Sequence, residues 1–500
     1  MTTTDDIVDV TEENPENRMP GDLEVVGFFS QKHLDFNCKS MGIVRRPNVG
    51  NGFWLSILVP LAMITNAWTH SRSSRLLYHV CSLVTLGLFL QFLDVFLKLN
   101  SRKVHFLINV VTKVIPGVIS SLLLWFLIAF DLKLSFLIGI ICCIFFNFCF
   151  IFLLKRLPRS FSLGEASLVA QGITIFIFGA TVMIVTALLQ RPESKIDELT
   201  VILCIALLGI VLVAFVTYAI PFCRRAVIFS FLILVWISSV FATPVTDPLP
   251  IILVFDFIFH DVGRVSVLLI YAGIVGLTGA FVAWHISRNT SSTSVSMRKV
   301  FHLVVVIVFL IGLILQCTML FFASGIVLAL FITFEAMRLI NFPVVSPHLA
   351  SIVRAFVDEK DSGVVAFTPI YLLVGCALPL WLHPSPCDLT DSTTFTLLPL
   401  LAGVLSVGIG DTMAGVVGSK LGRHRLPHSE KTIEGLLANI TSQLATILLF
   451  YTLGFLVLNL QTALVSCIGV ITSAVLEAKS DQIDNLFLPL VTFIIFSLNF

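Results

Sequence analysis

A chain of 500 residues that is 57% hydrophobic and 12% charged, with a mean hydropathy of +1.00, is excluded from the water-soluble globular class. Lys and Arg number 31 against 30 Asp and Glu, a formal net charge of +1, so no basic surplus draws it to nucleic acid. Its apolar runs of about 17 to 25 residues match helices crossing a bilayer about 30 Å thick, which leaves membrane lipid and small solutes as partners.

Residues 1–51 open the chain with Asp5, Asp6, Asp9, Glu12, Glu13 and Glu16 and few large apolar residues, and are expected to form a disordered acidic tail. No short apolar stretch follows a basic start, so a cleavable leader is not expected, and the first apolar run, 53–68, would itself direct insertion. Further runs lie near 76–97, 114–130, 134–154, 167–189, 199–221, 226–242, 265–286, 300–316, 318–340, 364–382, 393–413, 436–459, 461–476 and 486–500, roughly fifteen in all. Unpaired backbone is too costly in hydrocarbon, and the runs are too long and uniform for barrel strands. The expected fold is an all-α polytopic transmembrane helix bundle with an N-terminal half, 52–290, and a C-terminal half, 291–500. The run 248–259, broken by Asp256, is too short to cross and is read as interfacial or re-entrant. The cysteines inside apolar runs, among them Cys142, Cys204 and Cys317, are read as packing thiols, with no zinc site and no disulfide framework.

Orientation follows from the loops. Those of one parity, such as the loops with Lys155, Arg156 and Arg159 or with Lys420, Arg423, Arg425 and Lys431, hold 19 Lys and Arg; those of the other, with Arg72, Arg75 and Arg191 among them, hold 6. Cytoplasmic loops carry the excess of positive charge. The first set is therefore expected in the cytoplasm together with the acidic tail, and the C-terminus on the opposite, lumenal side.

Polar residues gather in the second-half loops of the cytoplasmic set. The densest stretch, 406–435, is rich in glycine around Asp411 and follows it with Lys420, Arg423, Arg425 and Lys431. Gly408 and Gly410 would let backbone N–H groups approach an anion. The cations would neutralise phosphates, and Asp411 and Glu434 offer the oxygen ligands that Mg²⁺ prefers. These are the parts of a nucleoside triphosphate site, although the spacing is neither a Walker A loop nor a kinase glycine loop. On residues alone, glycines that pack helices and an ordinary basic loop stay open as the alternative. Arg298, Lys299 and His302 stand at the start of a span. Glu335 and Arg338, three apart, face each other on one helix and can pair. Asp358, Glu359 and Asp361 form an acidic group, and Glu477, Asp481 and Asp484 another, read as a second wall of the site.

The segment Gly408-Ile409-Gly410-Asp411-Thr412-Met413-Ala414, with Gly418-Ser419, Pro427 and Lys431-Thr432-Ile433-Glu434-Gly435, closely resembles the nucleotide-binding segment of the dolichol kinase family. Arg298-Lys299-Val300-Phe301-His302, Glu335-Ala336-Met337-Arg338, Asp358 to Gly363, Asp484 to Pro489 and Phe161-Ser162-Leu163-Gly164-Glu165-Ala166 look like the same family. The resemblance implies a multi-pass enzyme of the endoplasmic reticulum membrane. It would transfer the γ-phosphate of CTP to dolichol, with Mg²⁺ or another divalent cation, to make the lipid carrier of protein glycosylation. On that reading Asp411, Asp361 and Lys431 are catalytic, Asp411 as metal ligand with Glu434 and Asp361 as base. Gly408, Gly410, Thr412, Lys420, Arg423, Lys431, Thr432, Glu434, Arg298 and Lys299 would hold the nucleotide. The alternatives are a CTP-dependent kinase of phytol or diacylglycerol, or a transporter. A transporter predicts polar residues at the bilayer midplane and paired broken helices, whereas here they collect at one rim.

Overall fold

The computed structural model describes residues 31–498 apart from 48, 72–73, 101–105, 193, 245, 247–248, 289–294, 357–362, 385–386, 388–396, 428 and 430. The helices in chain order are α1 (Gln31–Ser40), α2 (Phe53–Thr69, opening with a 3₁₀ turn), α3 (Leu76–Asn100), α4 (Phe106–Ile128), α5 (Leu132–Arg156), α6 (Leu163–Leu189), α7 (Lys195–Ala219), α8 (Ala226–Phe241), α9 (Pro250–Phe259) and α10 (Val262–Arg288). The second half continues with α11 (Val295–Leu315), α12 (Cys317–Leu339), α13 (Val345–Phe356), α14 (Thr368–Leu382), α15 (Leu397–Leu400), α16 (Thr412–Leu421), α17 (Ile433–Thr452), α18 (Leu460–Lys479) and α19 (Asp484–Phe496). The only extended pairing among the described residues is a single bridge between Arg425 and Thr432.

Helix starts follow the polar residues that bound the apolar runs. Asp131, Ser194 and Asn459 cap α5, α7 and α18 by accepting a backbone N–H of the first turn. Ser162 opens α6 with a capping box, its hydroxyl accepting the Glu165 N–H while the Glu165 carboxylate accepts the Ser162 N–H. Eight helices are long and apolar enough to cross a membrane: α3, α5, α6, α7, α10, α12, α17 and α18. Each lies on an expected span. Six other expected spans fall on shorter apolar helices, and the run 393–413 falls on a helix whose path is interrupted. The short run before Asp261 is the ten-residue α9, about 15 Å long at 1.5 Å per residue, half the hydrocarbon thickness.

One large apolar core draws on both halves, from Leu55 and Phe92 to Leu405 and Phe493. Helix α2 of the first half packs on α19 of the second, with Trp54 edge-on to Phe487 at 5.1 Å. Phe161 meets Phe367 at the same centroid distance. The two halves therefore share their interior.

Two expectations are corrected. Residues 31–51 belong to the packed body: Leu34 and Cys38, one helical turn apart, are buried along α1, as are Ile43 and Arg46 further on. The acidic residues that gave this segment its tail-like composition all lie in 1–30, outside the described residues. Cys317 is bonded to Cys387, with Cα atoms 5.5 Å apart across 70 residues of sequence. The packing of α12 on α14, fastened by the Trp381 indole N–H to the Ser324 hydroxyl at 3.0 Å, brings this pair together.

Candidate active site

Consecutive helices run back and forth, so residues far apart in sequence recur at one end of the bundle. Lys299 stands near the start of α11, Asp411 at the start of α16, Glu434 in the first turn of α17, Glu477 in the last turn of α18 and Asp484 at the start of α19. The disulfide lies at the other end, since the chain from Lys299 to Leu315 is helical and rises about 24 Å.

Asp411 is the hub. Residues Val404–Asp411 wind as a π-helix, wider than the α-helical turns around it. An insertion of this kind shifts the side chains that follow, and such bulges are frequent at functional sites. Its carboxylate Oδ2 accepts from the Lys299 Nζ at 3.0 Å and lies 3.9 Å from His302 Nε2. The same ammonium reaches the Asp411 carbonyl at 3.1 Å. Lys299 crosses α16 over Gly415, where a Cβ would press on its side chain.

Gly408 and Gly410 are occupied in packing. A Cβ at 408 would strike Val306 of α11, and one at 410 would meet Gln443 and Asn439 of α17. This is the packing use of small residues in membranes. It brings α11 and α17 close enough to the π-helix for Lys299 to reach Asp411. The Thr412 hydroxyl next to the hub is buried without a hydrogen-bond partner among the described residues.

The loop after α16 folds back on itself. Leu426 N–H donates to the Lys431 carbonyl at 2.9 Å and Ile433 N–H to the His424 carbonyl at 2.8 Å. Thr432 caps α17 by accepting the Gly435 N–H at 3.2 Å. Glu434 takes the His424 N–H with both oxygens at 3.2 Å and its ring Nδ1 at 2.7 Å. Both residues thus shape the loop that presents Lys431. The Lys431 ammonium pairs with the Glu477 carboxylate and also donates to its carbonyl. Burial alone would pull that ammonium's pKa down, but Asp484, Glu477 and Asp411 together hold it above the usual lysine value. Lys431 is therefore a positive charge paired with Glu477 and within electrostatic reach of Asp411 and Asp484.

Glu335 and Arg338 pair bidentately at 2.6 and 2.8 Å, and both also hold the next chain segment. Glu335 accepts the Ala366 N–H and Arg338 donates to the Val364 carbonyl, each at 2.8 Å. They anchor the residues that follow the acidic group at 358–361, which lies outside the described residues, Asp361 included. The side chain of Arg298, in the first turns of α11, is likewise not described. Lys420 and Arg423 are exposed and without an ion-pair partner among the described residues. Among the described residues no three His, Cys, Asp or Glu side chains form a ready metal cage.

Two features were not anticipated. The π-helix has a sequence signal only in hindsight, the glycines inside an otherwise helical run. The pairing of Lys431 with Glu477 links positions 46 residues apart, and only the loop's fold reveals it.

The fold and site define a multi-pass helical membrane protein with partly exposed cations and their carboxylates converging at one end of its bundle. A family model described as dolichol kinase matches residues 82–426. Over 375 residues the chain is 32% identical to the dolichol kinases of Bos taurus and Homo sapiens, covering 69% of this chain and 66% of each relative. It is 33% identical to dolichol kinase EVAN of Arabidopsis thaliana over 247 residues, 48% of this chain and 42% of that protein. The chain belongs to the dolichol kinase family. Its match spans just under two thirds of the mammalian relatives' own length. No solved structure matches it.

Proposed function

We propose that this protein transfers the γ-phosphoryl group of CTP to the hydroxyl of dolichol at the rim where Lys299, Asp411, His302 and Lys431 converge. The observation that carries the reading is that convergence, in a member of the dolichol kinase family, of two lysines and their paired carboxylates from four helix ends. The alcohol oxygen bonds to the γ-phosphorus as the bond to the β–γ bridging oxygen breaks. CDP leaves, and the alcohol proton passes to a carboxylate. Such transfers depend mainly on positioning and charge neutralisation. Lys299 and Lys431 act as fixed cations for the phosphates. Asp361, three residues before Val364 in the sequence, is the candidate proton acceptor.

Mg²⁺ fits the donor set only in part. The Asp411 carboxylate and the unpartnered Thr412 hydroxyl are adjacent and of the right hard-oxygen chemistry, whereas Glu434 is committed to His424. Asp484, which like Asp411 lies within electrostatic reach of Lys431, is better placed than Glu434 to be the second carboxylate. A bound divalent cation would neutralise charge on the β- and γ-phosphates, and one or two protein carboxylates suffice to hold it.

The site end faces the cytoplasm of the endoplasmic reticulum membrane, where nucleotide is available. The loop charge asymmetry supports this orientation. So does the Cys317–Cys387 bond at the opposite end, since disulfides persist in oxidising compartments such as the lumen. The test is purified protein in lipid discs with labelled CTP or ATP and a panel of dolichol, phytol and diacylglycerol. Product should form with CTP and dolichol; label appearing only in another alcohol, or equal use of ATP, would overturn the assignment.

A further inference from the structure

Among the described residues the first half of the chain contributes no cation or carboxylate to the cluster around Asp411, yet it grips the turn between α18 and α19 that is flanked by two of the site's acids. Residues 44–51 run beside 159–164, joined by Arg46 N–H to the Phe161 carbonyl at 3.0 Å, Arg159 N–H to the Val44 carbonyl at 2.8 Å and Gly164 N–H to the Asn51 carbonyl at 2.9 Å. Into this frame the turn 480–483 is inserted. Glu165, wholly buried, pairs with the almost wholly buried Arg46 and accepts the Ile483 N–H at 2.8 Å. Arg46 donates on to the Asp481 carbonyl at 3.2 Å. Ser162 donates to the Gln482 side chain at 2.7 Å. The fit is close: Gly52, at φ 63°, sits where a Cβ would overlap the Gln482 side chain, and a Cβ on Gly164 would overlap the Gly52 carbonyl. Glu477 lies one helical turn before the gripped segment and Asp484 directly after it.

A buried ion pair is a poor stabiliser compared with apolar residues of similar size. Its presence here, with the carboxylate also accepting a backbone N–H from a distant loop, points to a geometrical duty. We infer that Arg46 and Glu165 are positioning residues. They hold the 480–483 turn so that Glu477 and Asp484 face Lys431, and thereby set how well Lys431 meets the nucleotide phosphates. The inference about phosphates rests on the proposed phosphoryl transfer; the grip itself does not.

The test uses full-length protein in lipid discs. Glu165→Gln keeps an oxygen for Ile483 but removes the charge, and the paired variant Arg46→Gln with Glu165→Gln removes both charges so that no ion is left uncompensated. Backbone hydrogen exchange at Ile483 should accelerate in both variants, with exchange in α3 and α5 unchanged. This readout needs no substrate. In kinetics, KM for CTP should rise on the order of tenfold to a hundredfold, as expected for a misplaced contact, with KM for dolichol unchanged. Combined with Lys431→Ala, the effects on CTP should fail to add, because both act on one contact. Unchanged exchange at Ile483 would overturn the grip. Exchange that accelerates with CTP KM unaltered, or effects additive with Lys431→Ala, would overturn the positioning role. A wild-type protein that does not use CTP would instead defeat the proposed reaction while leaving the exchange result standing.

Discussion

Replacing Asp411 by Asn tests the hub of the site with almost no change in shape. The carboxylate lies 3.0 Å from the Lys299 ammonium, and each of the two side chains is 19% exposed. At an effective dielectric of about 20, unit charges at that separation attract by about 5 kcal/mol before desolvation. Most of this is offset by taking the two ions partly out of water and ordering their side chains, which leaves about 1 kcal/mol for a partly exposed pair. Asn can still accept from Lys299 through its amide oxygen, so the fold should lose no more than this and melt within a few degrees of the parent. Transfer should suffer far more. Losing a preorganised charge at the reacting phosphates costs about 3 to 4 kcal/mol of transition-state stabilisation, a hundredfold to a thousandfold in rate. Single-turnover transfer from labelled CTP to dolichol, measured across a Mg²⁺ titration, separates the two effects. Near-parental turnover with an unshifted Mg²⁺ dependence would refute the role of Asp411 as the charge that organises metal and phosphates.

Lys431→Ala should raise the CTP requirement and also lower the melting temperature, since it leaves the Glu477 carboxylate buried and unpaired; adding Glu477→Gln should restore the melting temperature and not the CTP affinity. Because the Lys431 pKa is raised in the folded protein from 10.5, its contribution to stability is fully present below that pH and is lost as pH climbs through the folded value. The melting difference between parent and Lys431→Met should therefore shrink at strongly alkaline pH. Cys387→Ser should free Cys317 for alkylation in denaturant without reductant, whereas peptide mapping of the parent should find Cys317 alkylated only after reduction, with the other thiols labelled in both. An impermeant reagent should label cysteines introduced into the Lys431 loop in sealed, cytoplasm-out vesicles, and labelling only after permeabilisation would reverse the orientation.

The sequence alone was sufficient for the class of fold, because a hydrocarbon solvent admits so few solutions. Uninterrupted apolar runs must satisfy their own hydrogen bonds, and so they become helices wherever they occur. Family membership was legible in 406–435 for a related reason: Asp411, Lys431 and the glycines stand at fixed local spacings. Their uses were not. Whether Gly410 faces a phosphate or Gln443, whether Glu434 holds a metal or His424, and whether Lys431 is alone or paired with Glu477 depend on which helices lie side by side. In a chain nearly uniform in apolar composition, no periodicity records those neighbours. The same holds for Arg46 in a segment read as tail, for Glu165, which lies 119 residues from Arg46 and 318 from Ile483, and for Cys317 and Cys387. Each pairs with residues remote in sequence, and burying a charge or closing a disulfide is a property of the packed arrangement that only the tertiary structure decides.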